Sequence, residues 1–258
     1  MKITCLLENT SARPDVTPEH GLSLWIETKH HRILFDTGQT DLFAKNADLL
    51  QIDLAKADLA VLSHGHYDHG GGLSVFFSKN ETAPIYLSQH AFGDYFNGTE
   101  KYIGLDKTLM ENPRLIFTQE KHVIADGLTL FSCNDRPRPN SLGCFGLTER
   151  KNGECQDDPF LHEQYLLIEE DGKRVLISGC SHKGILDITE WFHPDVLIGG
   201  FHLSKCPLDD RLEQIALQLD SHPTNFYTCH CTGEEQYRFL SHRMKRLSYL
   251  SCGQTVVL

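Results

Sequence analysis

Apolar positions fall along this chain in short runs separated by turn residues. Ile3–Leu7, Leu22–Glu27 and Arg32–Phe35 read as strands, the last ending at Asp36-Thr37-Gly38. Between Asp41 and Leu50 the spacing of Leu42, Phe43, Ala47, Leu49 and Leu50 predicts a helix with a buried stripe. Asp58–Ser63 is a continuous apolar run, the pattern of a strand covered on both faces, and it delivers the chain into His64. Gly70-Gly71-Gly72 precedes a short helix and a strand at Ile85–Leu87. From 90 to 161 the periodicity fades, and loops with a few strands are expected there, covering the site and selecting the substrate. Regularity returns with Tyr165–Glu169 and Arg174–Ser178, joined by an Asp171-Gly172 hairpin turn. Helices near Ile185–Phe192, Leu208–Leu219 and Glu234–Met244 then alternate with strands at Val196–Ile198, Phe226–Thr228 and Thr255–Leu258. The pattern predicts an α/β (α+β) chain, sheets covered by helices, in a single domain spanning 1–258.

Charge and composition narrow the partners. The chain has 24 basic and 35 acidic residues, a net charge of −11, with no basic stripe, so nucleic-acid binding is not expected. A small-molecule substrate is expected instead, and an anionic one is not excluded, because bound cations would offset negative charge locally. No run approaches the ~18 apolar residues of a membrane span. The apolar patch in Met1–Glu8 is too short for a signal peptide, and a cytoplasmic location is expected. Nine cysteines at irregular spacing suggest free thiols. The fifteen histidines are the compositional outlier, and histidine is the commonest metal ligand.

The densest cluster is Ser63-His64-Gly65-His66-Tyr67-Asp68-His69-Gly70, four potential ligands in six residues directly after a buried strand. His64 and His66, as alternate residues of an extended loop, point one way, while Asp68 and His69 serve a second point nearby. Imidazole and carboxylate suit zinc, iron or manganese. His230 follows another short strand, and its neighbours Cys229 and Cys231 are read as packing residues that point away from it. His202, after Gly199-Gly200-Phe201, is a candidate for substrate binding or proton transfer. Asp36 is expected to orient a ligand imidazole. Arg136 and Arg138, on a Pro-rich loop, are candidates for gripping a carboxylate or phosphate.

With its HxHxDH loop after a core strand, the chain resembles the metallo-β-lactamase superfamily. Leu34-Phe35-Asp36-Thr37-Gly38 ahead of that loop and the late histidine agree. Glu8-Asn9-Thr10-Ser11, His20-Gly21-Leu22-Ser23, Gly179-Cys180-Ser181-His182, Gly199-Gly200-Phe201-His202-Leu203 and His230-Cys231-Thr232-Gly233 are similar to the branch named for dihydropterin-(ribofuranosyl)aminobenzene-phosphate synthase. The resemblance implies an αββα sandwich of two mixed sheets flanked by helices. It also implies two divalent ions, zinc in first place and iron or manganese as alternatives, held by His64, His66, Asp68, His69, His230 and two further residues. One of these is Cys180, standing where the superfamily has a bridging aspartate. The other is a histidine, either His182 or His162, with His182 favoured.

The expected chemistry is hydrolysis of a small ester, lactone, amide or phosphoester by metal-activated water, with Asp68 and His202 as catalytic groups. A pterin-type synthase displacing pyrophosphate would use the same activation. A di-iron reductase is disfavoured by His66, since such sites favour a carboxylate there, and an RNA-processing nuclease is disfavoured by the acidic balance. A non-catalytic binding protein on this fold is kept open by Cys180.

Overall fold

In the run Arg32–Phe35, Ile33 and Phe35 face one side and Leu34 the other, and all three are buried. The same double burial recurs through the central strands, which is why they read as unbroken apolar runs. The computed structural model describes residues 1–258. The first half contains β1 (Lys2–Leu7), β2 (Ser23–Glu27), β3 (Arg32–Phe35), α1 (Leu42–Leu49), β4 (Leu59–Val61), α2 (Tyr67–Gly70), α3 (Leu73–Lys79) and β5 (Ile85–Ser88). The middle contains β6 (Tyr95–Asn97), β7 (Lys101–Tyr102), β8 (Leu115–Thr118), β9 (Lys121–Ala125), β10 (Leu128–Phe131), β11 (Leu147–Lys151) and β12 (Glu154–Asp157). The second half contains β13 (Tyr165–Glu170), β14 (Lys173–Ile177), α4 (Ile185–Phe192), β15 (Val196–Gly199), α5 (Asp210–Ser221), β16 (Asn225–Thr228), α6 (Glu234–Ser241), β17 (Leu247–Tyr249) and β18 (Thr255–Val257).

Two seven-stranded mixed sheets result, one ordered β18-β1-β2-β3-β4-β5-β8 and the other β17-β16-β15-β14-β13-β10-β9. One core cluster joins Ile33, Phe35 and Val61 of the first sheet to Leu166, Val175 and Ile177 of the second, so the sheets pack face to face. Leu34, Trp25 and Ala60 turn outward against Phe43 of α1 and Phe76 of α3. Leu176, Leu197 and Phe226 turn the opposite way, against Ile188 of α4, Ile215 of α5 and Leu240 of α6. This is the αββα arrangement that the resemblance implied. The β13–β14 hairpin closes on Asp171 and Gly172, both at positive φ (53° and 74°), as an Asp-Gly hairpin turn requires. No helix is long and apolar enough to cross a membrane.

The stretch from 90 to 161 is more ordered than its sequence pattern suggests. Strands β8, β9 and β10 belong to the two large sheets, while β12-β11-β6-β7 forms a third, four-stranded sheet. Its members are two to five residues long and include Glu149-Arg150-Lys151 and Glu154-Cys155-Gln156-Asp157, which carry no apolar alternation. The β17 edge strand, Leu247-Ser248-Tyr249, likewise has too short a pattern to predict a strand.

Because Ile177 is fully buried between the two sheets, Ile177→Ala should destabilise the protein by about 2–5 kcal/mol. Urea unfolding should show a lower midpoint at an unchanged slope.

Candidate metal centre

The ends of six strands converge at one edge of the paired sheets: β1 leads to Glu8, β3 to Asp36, β4 to His64, β14 to Cys180, β15 to His202 and β16 to His230. The C-terminal ends of parallel strands are where open α/β sheets place their ligands. At four of these turns a non-glycine residue adopts the left-handed conformation: Asp36 (φ 59°), Ser181 (59°), His202 (52°) and His230 (49°). Each costs on the order of 1–3 kcal/mol and persists only where its surroundings enforce it. Two glycines permit the closest approaches. At Gly21 (φ 144°) a Cβ would collide with the Asp68 carbonyl oxygen, and at Gly179 a Cβ would meet the Ser63 hydroxyl.

Hydrogen bonds fix which nitrogen each histidine presents. Asp36, fully enclosed, accepts from the Ser63 amide (2.7 Å), the Ser63 hydroxyl (2.7 Å) and His69 Nδ1–H (2.7 Å). Ser63 Oγ in turn accepts from His64 Nδ1–H at 2.8 Å. On the other side Asn9 Oδ1 accepts from His230 Nδ1–H at 2.8 Å, and Glu8 accepts from the His230 amide at 3.1 Å. His64, His69 and His230 therefore all turn Nε2 toward a common interior.

Two groups of donor atoms face one another there. In the first, His64 Nε2 and His182 Nε2 stand 3.3 Å apart beside His66, whose Nε2 is buried without a hydrogen-bond partner. In the second, His69 Nε2 lies 3.2 Å from His230 Nε2 and 3.2 Å from Cys180 Sγ, with Asp68 Oδ2 3.5 Å from His230 Nε2. Ligands ~2.0–2.1 Å from a tetrahedral zinc ion stand ~3.3–3.4 Å apart, so the nitrogen spacings fit such an ion.

In the first group the protonation pattern points the same way. Burial, reinforced by neighbouring imidazoles, pushes His64 and His182 well below the ordinary histidine range, and burial with His162 pushes His66 down to about 3. These rings are neutral, and His64, whose Nδ1–H is committed to Ser63, turns a bare Nε2 toward His182 Nε2 at 3.3 Å, where a cation could take it. In the second group burial opposes the outcome, yet Asp36 and Asp68 raise His69 to about 9. Burial likewise opposes ionisation of Asp68, but the charge of His69 and hydrogen bonds from His20 and His230 hold it well below the usual carboxylate range. Burial pushes the Cys180 thiol up, so its thiolate requires a cation to form.

The expected residues sort as follows. His64, His66, Asp68, His69, Cys180, His182 and His230 come together at this interior, joined by the contacts just described. His162 does not offer a lone pair, because its Nδ1 accepts from the Gly65 amide (2.9 Å) and its Nε2–H donates to Asp158 (3.0 Å). His202 sits beside the first group, its ring centroid 4.2 Å from His182 and 5.4 Å from Phe145, with Nδ1 buried and unpartnered. Arg136 and Arg138 are a correction. Arg136 donates to the Trp191 carbonyl (3.3 Å) and Arg138 to the Pro159 carbonyl (2.8 Å), and neither lines the cleft above the donors. Cys231 is a second correction. The chain turns into a 3-10 helix at His230 instead of staying extended, which swings Cys231 into the site while Cys229 packs in the inter-sheet core.

Several residues here are placed by the fold alone. His20 reaches Asp68 (3.2 Å), Asn9 and Glu8 hold His230, and Glu163 accepts from the amides of His182 (2.7 Å) and Lys183 (3.0 Å). The Glu8-Asn9 and His20-Gly21 segments were visible as branch-like, but local pattern does not show which distant group they meet.

Fold and donor set define a metal-binding protein of metallo-β-lactamase type, and the chain belongs to the metallo-β-lactamase superfamily. The model of that superfamily matches residues 16–131. The chain is 30% identical to the uncharacterized protein MJ0448 of Methanocaldococcus jannaschii, covering 90% of both chains. It is 29% identical to 7,8-dihydropterin-6-methyl-4-(beta-D-ribofuranosyl)-aminobenzene-5'-phosphate synthase of the same organism, over 83% of this chain and 81% of that one. Among solved structures it is similar to Tm1679, described as a metal-dependent hydrolase of the beta-lactamase superfamily. That match has a TM-score of 0.86 and 30% identity, covering 100% of this chain and 99% of the other.

Asp36→Asn keeps the shape of the side chain but cannot accept all three hydrogen bonds. Titration against a chromophoric chelator should show metal affinity reduced about 10–100-fold in a folded protein.

Proposed function

We propose that this protein is a metal-dependent hydrolase acting on a small ester, lactone, amide or phosphoester. The observation that carries the reading is the pair of buried, inward-facing donor groups at the floor of a cleft of about 310 Å³. His64, His66 and His182 would hold one divalent ion. Asp68, His69 and His230 would hold a second, and Cys180, whose Sγ lies 3.2 Å from His69 Nε2, could add a sulfur donor. Divalent ions there, zinc in first place, supply Lewis acidity and make water acidic enough to act as a nucleophile near neutral pH.

The remaining work falls to the chain itself. Asp68, kept ionised by its neighbours, is an acceptor for the proton of the attacking water. His20, 3.2 Å away, keeps that carboxylate oriented. His202, packed between His182 and Phe145, is placed to protonate a leaving group. Asp36 and Ser63 hold Nδ1 of His69 and His64 and so aim both Nε2 atoms inward, and the Nε2 proton of His69 would leave on metal binding.

The similarity to Tm1679 supports hydrolysis. The synthase relative favours a second reading, in which the same donors activate an electrophile for displacement of pyrophosphate. A net charge of −11 supports a small-molecule substrate over nucleic acid. Nine unpaired thiols support a reducing, cytoplasmic setting.

Elemental analysis of protein purified without added metal, followed by a screen of lactones and phosphoesters, tests the proposal. Close to two zinc ions per chain with hydrolysis of one class is the expected result. One ion or none, with no gain on adding metal, would remove the binuclear mechanism. In the active protein, His202→Ala should lower kcat by about 10²–10⁴-fold at unchanged metal content. His66→Ala should lower metal content itself.

A further inference from the structure

The cleft over the donor atoms has a charge character opposite to that of the whole chain. The protein carries −11 overall, yet the only carboxylate lining this cleft is Asp68, already committed to His20 and His230. Two lysines line it as well. Lys101 comes from β7 in the small sheet, and Lys205 follows His202 by three residues in the loop after β15. Asn97 and Ser204, both capable of donating hydrogen bonds, line the cleft beside them.

Neither lysine is neutralised. Seven of the other eleven lysines, at positions 2, 29, 45, 56, 79, 107 and 151, pair with a carboxylate within 4 Å. Lys101 instead lies 5.9 Å from the centre of the Tyr67 ring, and Lys205 donates to the Phe145 carbonyl at 2.8 Å. Both are exposed and belong to separate segments, so only the tertiary fold brings them to one opening. The Phe145 contact also ties Lys205 to His202, whose ring packs 5.4 Å from that of Phe145. Arg136 and Arg138, the basic pair that sequence alone suggested for an anion, are engaged elsewhere.

We infer that Lys101 and Lys205 form a clamp for an anionic group of the substrate, a phosphate or a carboxylate, held at the mouth of the cleft. The inference rests on the reading of this cleft as the reaction site. The clamp adds binding through charge and leaves the donor groups untouched, so it selects the substrate without taking part in bond making.

The test is calorimetric titration of the zinc-loaded protein with inorganic phosphate and, separately, with acetate, at low ionic strength. Wild type is compared with K101A/K205A and K101R/K205R, with metal content and Tm measured for each. The clamp predicts affinity reduced about tenfold or more in the alanine pair and largely kept in the arginine pair, at equal metal content. A loss for phosphate alone assigns the clamp to phosphate, and a loss for acetate alone assigns it to carboxylate. Equal affinity in wild type and the alanine pair for both anions overturns the inference, since the metal centre would then hold them unaided. Failure of wild type to bind either anion overturns it too. No turnover is needed, so a protein that binds phosphate through these lysines yet hydrolyses nothing would retire the hydrolase reading and keep the clamp.

Discussion

The structure around the metal centre depends on one buried carboxylate. Asp36 accepts three hydrogen bonds, from the amide and hydroxyl of Ser63 and from His69 Nδ1. Those contacts bind the end of β3 to the end of β4 and to the short helix α2. They also set the ring orientation of His69 and, through Ser63, of His64. A carboxylate enclosed so fully is costly unless its lone pairs are used, and here they are. The result is a pair of imidazoles whose Nε2 atoms are aimed inward in advance, which is how neighbouring groups raise the affinity of a metal site.

The second sheet answers this frame with less symmetry. Its site residues leave the ends of β14, β15 and β16 on tight turns, and the left-handed conformations of Ser181, His202 and His230 show backbone strain gathered at those turns. That strain is met by packing and by Glu8, Asn9 and Glu163, each anchoring a ligand-bearing segment from another part of the chain. Lys183 illustrates how far the fold goes to hold the loop. Its ammonium is buried against the carbonyls of Ser132 and Glu163, and burial pushes it down to about 8.

Cys180 gives the centre its individual character. Its sulfur is a softer donor than the carboxylate of Asp68, and Cys231 and His202 stand close enough to form a further donor group with it. The floor of the cleft thus combines hard and soft donors, while its mouth carries unpaired positive charge.

Much of this was legible in the sequence. His64, His66, Asp68 and His69 are adjacent in the chain, and the buried strand before them sets where they go, so local pattern sufficed. The large-sheet strands and their helices declared themselves because each buries two faces or one stripe. Cys180, His182 and His230 could be named as candidates through resemblance, but choosing His182 over His162 required seeing that both nitrogens of His162 are already bonded. The four-stranded sheet was hidden because its short polar strands are held by neighbours and not by alternation. Likewise the inward turn of Cys231, the contacts of His20, Asn9 and Glu163, and the meeting of Lys101 with Lys205 are long-range events. The sequence by itself determined the layered α/β architecture and the core of the metal-binding loop, since both are written in local periodicity and spacing. Only the tertiary structure decided which distant side chains complete, orient and charge the site, because those contacts join segments that no local pattern relates.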